Sequence, residues 1–180
     1  HKEELLERLD MQGQPLDLEL TFNCGQAFRW RRRPDGSWSG VVRDKLIELA
    51  TRDGQVMWRT NPAGDLALVR DYLRLSDDVN AIYADLSASD PHLAGLIERF
   101  HGLRLVRQDP TETMLTFICS AANSIPRITA AIESLSVQYG DLVCEQGGLC
   151  YYAFPRVEVF AETESAALET TQGLGFRGRN

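Results

Sequence analysis

The run Gln26-Ala27-Phe28-Arg29-Trp30-Arg31-Arg32-Arg33-Pro34-Asp35-Gly36-Ser37-Trp38-Ser39-Gly40-Val41-Val42-Arg43 decides the fold class of this chain. From Gln26 to Arg32, Phe28 and Trp30 fall on one face and Arg29 and Arg31 on the other, the two-residue period of a strand with one buried side. Pro34-Asp35-Gly36-Ser37 supplies residues that reverse a chain, and Trp38 to Arg43 returns as the partner strand of a hairpin. Lys45 to Ala50, the turn Arg52-Asp53-Gly54, and Gln55 to Thr60 repeat the pattern downstream. Upstream, Leu16, Leu18, Leu20 and Phe22 alternate with Asp17, Glu19 and Thr21, which predicts one more strand. The first third is read as an antiparallel sheet of about four or five strands.

Beyond Asn61 the period changes. Leu66, Val69, Tyr72 and Leu73 recur at helical spacing, and Ile82, Leu86, Leu93, Leu96, Ile97 and Phe100 continue in short helices. His92 and His101 lie here without an acidic or cysteine constellation, so surface or capping roles are expected. Asp109-Pro110-Thr111-Glu112 is the clearest helix start: Asp109 suits the N-cap, Pro110 needs no N–H at the first position, and Glu112 completes a capping box. Met114 to Ala121 is apolar nearly all round and is predicted to run through a core. After a break at Asn123-Ser124, Ile125, Ile128, Ile132 and Leu135 share a helix face that Gly140 ends. Leu142 to Phe154 reads as short extended pieces around Gly147-Gly148, and Val157 to Thr170 as weak helix. The expected class is α+β, with a sheet domain and flanking helices over residues 1–105 and the incomplete opening of a helical domain over 106–180.

Composition is that of a globular protein: 43% hydrophobic, 25% charged, and no apolar run of membrane-spanning length. Cys24, Cys119, Cys144 and Cys150 form no CxxC and no zinc spacing; Cys119, in an apolar run, is expected to be a buried thiol. Reduced cysteines and no signal peptide predict an intracellular protein, in the cytoplasm or nucleoid of a prokaryote or the nucleus of a eukaryote. The formal net charge of −7 taken alone argues against a nucleic-acid binder. The charge is uneven, however, with Glu158, Glu162, Glu164 and Glu169 late and Arg29, Arg31, Arg32 and Arg33 clustered early. Such an arginine run reads most simply as a solvated strand edge.

Three ordered segments carry more specific information: Cys24-Gly25-Gln26-Ala27-Phe28-Arg29-Trp30; Arg107-Gln108-Asp109-Pro110 running into Phe117-Ile118-Cys119-Ser120; and Gly173-Leu174-Gly175-Phe176-Arg177. Together they resemble the 8-oxoguanine DNA glycosylase family of the helix-hairpin-helix superfamily, from about Leu16 onward. The resemblance implies a twisted, TATA-binding-protein-like antiparallel sheet packed on the first helices of an all-α glycosylase core. It also implies base-excision repair of duplex DNA, in which oxidised guanine is flipped into a pocket and excised, with an associated β-lyase activity. Neither cofactor nor metal is implied. Guanine has an acceptor at N7 and 8-oxoguanine an N7–H donor, so a rigid carbonyl at that position attracts the damaged base and repels the normal one. The resemblance assigns that carbonyl to Gly25. The same resemblance places Asn123, Arg127, Phe176 and Arg177 at the orphaned cytosine and the gap left in the duplex: Phe176 as a wedge, Arg127 and Arg177 as bidentate donors.

This chain departs from the family pattern where relatives carry a run of asparagines and it reads Ala121-Ala122-Asn123-Ser124. Ala122 cannot make an amide contact to cytosine, which predicts weaker selectivity for the opposite base. Phe176 stands where many relatives have tyrosine. The family's nucleophilic lysine and its aspartate lie in a helix-hairpin-helix that no part of this sequence resembles. Lys2 and Lys45 are the only lysines, so no catalytic residue is assigned. The 180 residues alone are expected to be inactive, with catalysis supplied by a further C-terminal segment or a second chain. Two other readings stay open: a non-catalytic DNA-binding fragment, and an alkylated-base glycosylase of the same superfamily.

Overall fold

The computed structural model describes residues 6–171 and 174–175. The described residues divide into two compact units, one of residues 6–27, 32–39 and 47–107, the other of residues 28–31, 40–46, 108–171 and 174–175.

The sheet has five strands: β1 Glu7–Arg8, β2 Trp30–Arg32, β3 Trp38–Val42, β4 Lys45–Arg52 and β5 Gln55–Asn61, in the order β1-β5-β4-β3-β2. Strands β2 to β5 form a meander of short hairpins, and β1 adds antiparallel to β5, with Glu7 opposite Trp58. Local chemistry makes the β2–β3 turn. The Asp35 carboxylate accepts from Ser37 N at 3.0 Å and from Ser37 Oγ at 2.6 Å. These bonds hold its carboxyl below the usual carboxylate range. Gly40 is dictated by packing. A β-carbon there would lie 2.6 Å from Trp30 Cδ2, so the indole lies across the strand where a side chain would otherwise stand.

The strand expected over Leu16–Phe22 is instead a helix, α1 Leu18–Asn23. Asp17 caps it, accepting from Leu20 N at 2.9 Å, and Thr21 N bonds back to Asp17 O at 3.0 Å. The buried residues are Leu18, Thr21 and Phe22, spaced three and four apart. The alternation was ambiguous because positions 18 and 22 share a face at either period. The fifth strand of the sheet is β1, which carries no apolar alternation.

Asparagine-free caps of one kind follow in the first unit. Asp65, Asp78 and Asp90 start α2 Leu66–Tyr72, α3 Val79–Ser89 and α4 Pro91–Arg99, each accepting from a backbone N–H two or three residues on. Ile47, Leu49, Val69 and Leu73 are fully buried here, and Phe22 and Trp38 meet at 5.5 Å. His92 is exposed, and His101 lies against Tyr83.

The second unit holds α5 Pro110–Ser120, α6 Ile125–Tyr139, the hairpin β6 Leu142–Gln146 and β7 Leu149–Tyr152, α7 Val157–Glu162 and α8 Ser165–Thr170. Its core is Cys119, Ile128, Ala131, Ile132, Leu135 and Leu174, with Phe28, Tyr139, Phe154, Phe160 and Leu168 packed around it. Asp109 caps α5 as expected, accepting from Thr111 N and Glu112 N. Glu112 turns to Arg29 at 3.8 Å. The expectation that α5 runs through a core is corrected. Only Thr116 and Cys119 are buried on it, while Met114 is 57% and Phe117 78% exposed. An all-round apolar pattern does not say which side neighbours cover. Ile125, grouped by spacing with the buried face of α6, is also exposed.

Candidate nucleic-acid interface

Gly25 sits in the turn after α1 with φ at +83°, the left-handed region that disfavours any side chain. The residue after it is what ties this turn down. Gln26 Nε2 donates to Thr21 O at 2.8 Å and to Arg104 O at 2.8 Å, and Gln26 Oε1 accepts from Val106 N at 3.0 Å. Cys24 Sγ also reaches Thr21 O, at 3.3 Å. The segment that receives Gln26 is itself locked. Asp17 N bonds to Gly102 O at 2.8 Å, and Arg104 N to Thr21 Oγ1 at 3.2 Å.

Arg104 is a buried cation, 2% exposed. Its guanidinium donates to Leu73 O at 3.0 Å, Arg74 O at 2.7 Å, Pro15 O at 3.3 Å and Asp77 O at 3.4 Å. Carbonyls left over at the end of α2 thereby gain a donor. Burial pushes the Arg104 guanidinium below its usual pKa, with Asp77 acting in the opposite direction. Sequence reasoning missed both Gln26 and Arg104 as structural agents. One signal was available for Arg104: in Leu103-Arg104-Leu105-Val106 it shares strand parity with Val106, and those two are the buried ones.

In the second unit, the turn between α5 and α6 holds Asn123, and the start of α6 holds Arg127. Ala122 lies at φ +48°, a left-handed conformation for a residue with a β-carbon. Asn123 folds its amide onto the turn: Nδ2 donates to Cys119 O at 2.9 Å and Oδ1 accepts from Ser124 N at 3.0 Å. Arg127 is exposed in the first turn of α6. Among the described arginines of this unit, it is the one whose side chain has no ion pair or hydrogen bond to another described residue. Phe176 and Arg177 lie outside the described residues.

The early arginine run is not an open basic surface. Arg29 faces Glu112 and donates to Tyr152 O. Arg31 pairs with Glu133 at 2.9 Å, Arg32 with Glu19 at 3.6 Å, and Arg33 with the buried Glu48 at 2.7 Å. Arg59 also contacts Glu48. Burial pushes the Glu112 carboxyl above its usual value, Arg29 pulls it down and Asp109 pushes it up again. Among the described residues, no group of three or more histidine, cysteine, aspartate or glutamate side chains gathers to hold a metal ion. No described helix is long and apolar enough to cross a membrane. Cys119 is buried and unbridged.

Residues 8–114 match the model of the family described as 8-oxoguanine DNA glycosylase, N-terminal domain. The chain belongs to that family. It is 31% identical over 174 residues to the N-glycosylase/DNA lyase OGG1 of Arabidopsis thaliana, covering 91% of this chain and 46% of that one. Its fold is similar to the apo-form 8-oxoguanine glycosylase/lyase of Clostridium acetobutylicum, with a TM-score of 0.86 and 31% identity over 98% of this chain and 63% of that one. The same Clostridium enzyme in complex with double-stranded DNA containing cytosine opposite 8-oxoG aligns with a TM-score of 0.83 and 31% identity, covering 98% and 62%. The chain therefore spans about half the length of the curated plant relative and under two thirds of the solved enzymes.

Proposed function

We propose that this chain is the recognition part of a base-excision repair enzyme that removes 8-oxoguanine from duplex DNA by base flipping, acting as an N-glycosylase with β-lyase activity in the whole protein. The observation that carries the reading is Gly25: a bare backbone at φ +83°, in a turn held by long-range hydrogen bonds, within a chain of this family. A carbonyl that cannot move to suit its ligand distinguishes an N7–H from a lone pair; a flexible one would accommodate both. We assign the sheet domain to residues 1–105 and the opening of the helical domain to 106–180.

Arg127 is proposed to face the orphaned base, because it is exposed and its side chain has no partner among the described residues; Phe176 and Arg177 complete that set by resemblance. Asn123 is proposed to act through the shape of its turn, since its amide is engaged with Cys119 and Ser124. With Ala122 in place of an amide, selectivity for cytosine over adenine and thymine opposite the lesion is expected to be weaker than in relatives with the full asparagine run. A strong cytosine preference would overturn that assignment. The compartment implied is wherever the genome resides.

The test is equilibrium binding of the chain to duplexes carrying 8-oxoguanine, guanine or an abasic analogue opposite cytosine, joined to borohydride trapping on the lesion duplex. Preference for 8-oxoguanine over guanine supports the reading, and equal binding defeats it. Trapping is expected to give no covalent adduct, because neither Lys2 nor Lys45 lies in a helix-hairpin-helix pattern. An adduct would show that the nucleophile is within these residues.

A further inference from the structure

A carbonyl that discriminates must not turn over, and glycine does nothing by itself to prevent that. With no β-carbon, Gly25 can exchange between conformations that present either face of the peptide joining it to Gln26. That peptide is a rigid plane whose far end is the Gln26 α-carbon. Turning it over changes ψ of Gly25 and φ of Gln26 together, so a restraint that resists reorientation at Gln26 opposes the turn. The Gln26 amide is held at three points, to Thr21 O, Arg104 O and Val106 N, at 2.8, 2.8 and 3.0 Å. Two of those points lie 78 and 80 residues away, on a segment anchored by the buried Arg104.

We infer that Gln26 is a positioning residue for lesion discrimination, its side-chain amide clamping the Gly25–Gln26 peptide so that the carbonyl, and not the N–H, is offered to the base. This rests on the reading of Gly25 given above. It makes a prediction that general destabilisation does not. If the clamp is released, the peptide can turn its Gln26 N–H outward. A donor there meets the N7 lone pair of guanine favourably and the N7–H of 8-oxoguanine unfavourably. Binding to the two bases should then move in opposite directions.

The experiment compares the unaltered chain with Gln26→Met, which keeps the side-chain length without hydrogen bonds, Gln26→Glu, which replaces the donor with acceptors, and Gly25→Ala as control. Each is titrated with the 8-oxoguanine, guanine and abasic-analogue duplexes. The preference for 8-oxoguanine over guanine is expected to fall at least about tenfold in both Gln26 variants, as one attractive hydrogen bond becomes repulsive. Affinity for the abasic duplex should stay within about twofold, because that duplex has no base for the carbonyl to read. An unchanged preference overturns the inference, and so does a parallel loss on all three duplexes. If the unaltered chain shows no preference, or Gly25→Ala retains it, the Gly25 reading itself fails. If Gly25→Ala abolishes the preference while the Gln26 variants keep it, only the role of Gln26 is wrong.

Discussion

Two turns carry the candidate recognition residues, and they are built alike from opposite materials. Each has one residue in the left-handed region and, next to it, a side-chain amide bonded to backbone. At Gly25 the left-handed residue is glycine, and the Gln26 amide reaches Arg104 and Val106 across the sequence. At Ala122 the left-handed residue has a β-carbon, and the Asn123 amide reaches only Cys119 and Ser124. The first turn is held from outside by tertiary contacts; the second holds itself together locally against a conformational cost. A turn of the first kind keeps its shape only while its support is intact, whereas the second depends on a few adjacent residues.

The largest effect should come from removing the support of the first turn. Arg104→Ala leaves the carbonyls of Leu73 and Arg74 without that donor and opens a buried cavity. It should cost about 3–5 kcal/mol in urea unfolding; a loss below about 1 kcal/mol would mean that the first turn does not rest on Arg104. Gly25→Ala comes next, at about 1–2 kcal/mol from the left-handed penalty, together with the loss of base preference described above. In the second turn, Asn123→Ala should cost about 1 kcal/mol, the scale of a lost helix-terminus cap. Its effect should be confined to exchange protection around residues 119–125. Protection lost around Gly25 would show that the turns are coupled. The smallest change is a gain. Ala122→Asn or Ala122→Gly should stabilise by about 0.5–1 kcal/mol, since both tolerate positive φ better than alanine. Of the two, only the asparagine variant should raise preference for cytosine opposite the lesion.

Legibility in the sequence followed the range of the interaction. The hairpins and the Asp109 cap were readable because Asp35, Ser37, Asp109 and Thr111 act within a few residues of one another. Helix α1 was misread because its alternating leucines suit either period, and the deciding Asp17 cap competes with a strong strand signal. The exposure of Phe117 was hidden because hydropathy records what a side chain prefers and not what covers it. Gln26 could be named from the motif, but its partners near residue 105 follow from no local rule. Gly25, Asn123 and Arg127 were assigned by resemblance, and only coordinates show how differently the turns at Gly25 and Asn123 are made.

The pairing of the early arginines has a consequence for how this chain meets a polyanion. Arg29, Arg31, Arg32 and Arg33 each already face a carboxylate of the same unit, so they have little positive potential to lend to phosphates. Duplex binding through these residues would displace few condensed counterions. The logarithm of its affinity should then fall with the logarithm of salt concentration by only about 0.9 for each phosphate neutralised. With few such contacts, this half of the recognition should remain nearly as selective in concentrated salt as in dilute, and it should be slow to find its target by electrostatic attraction.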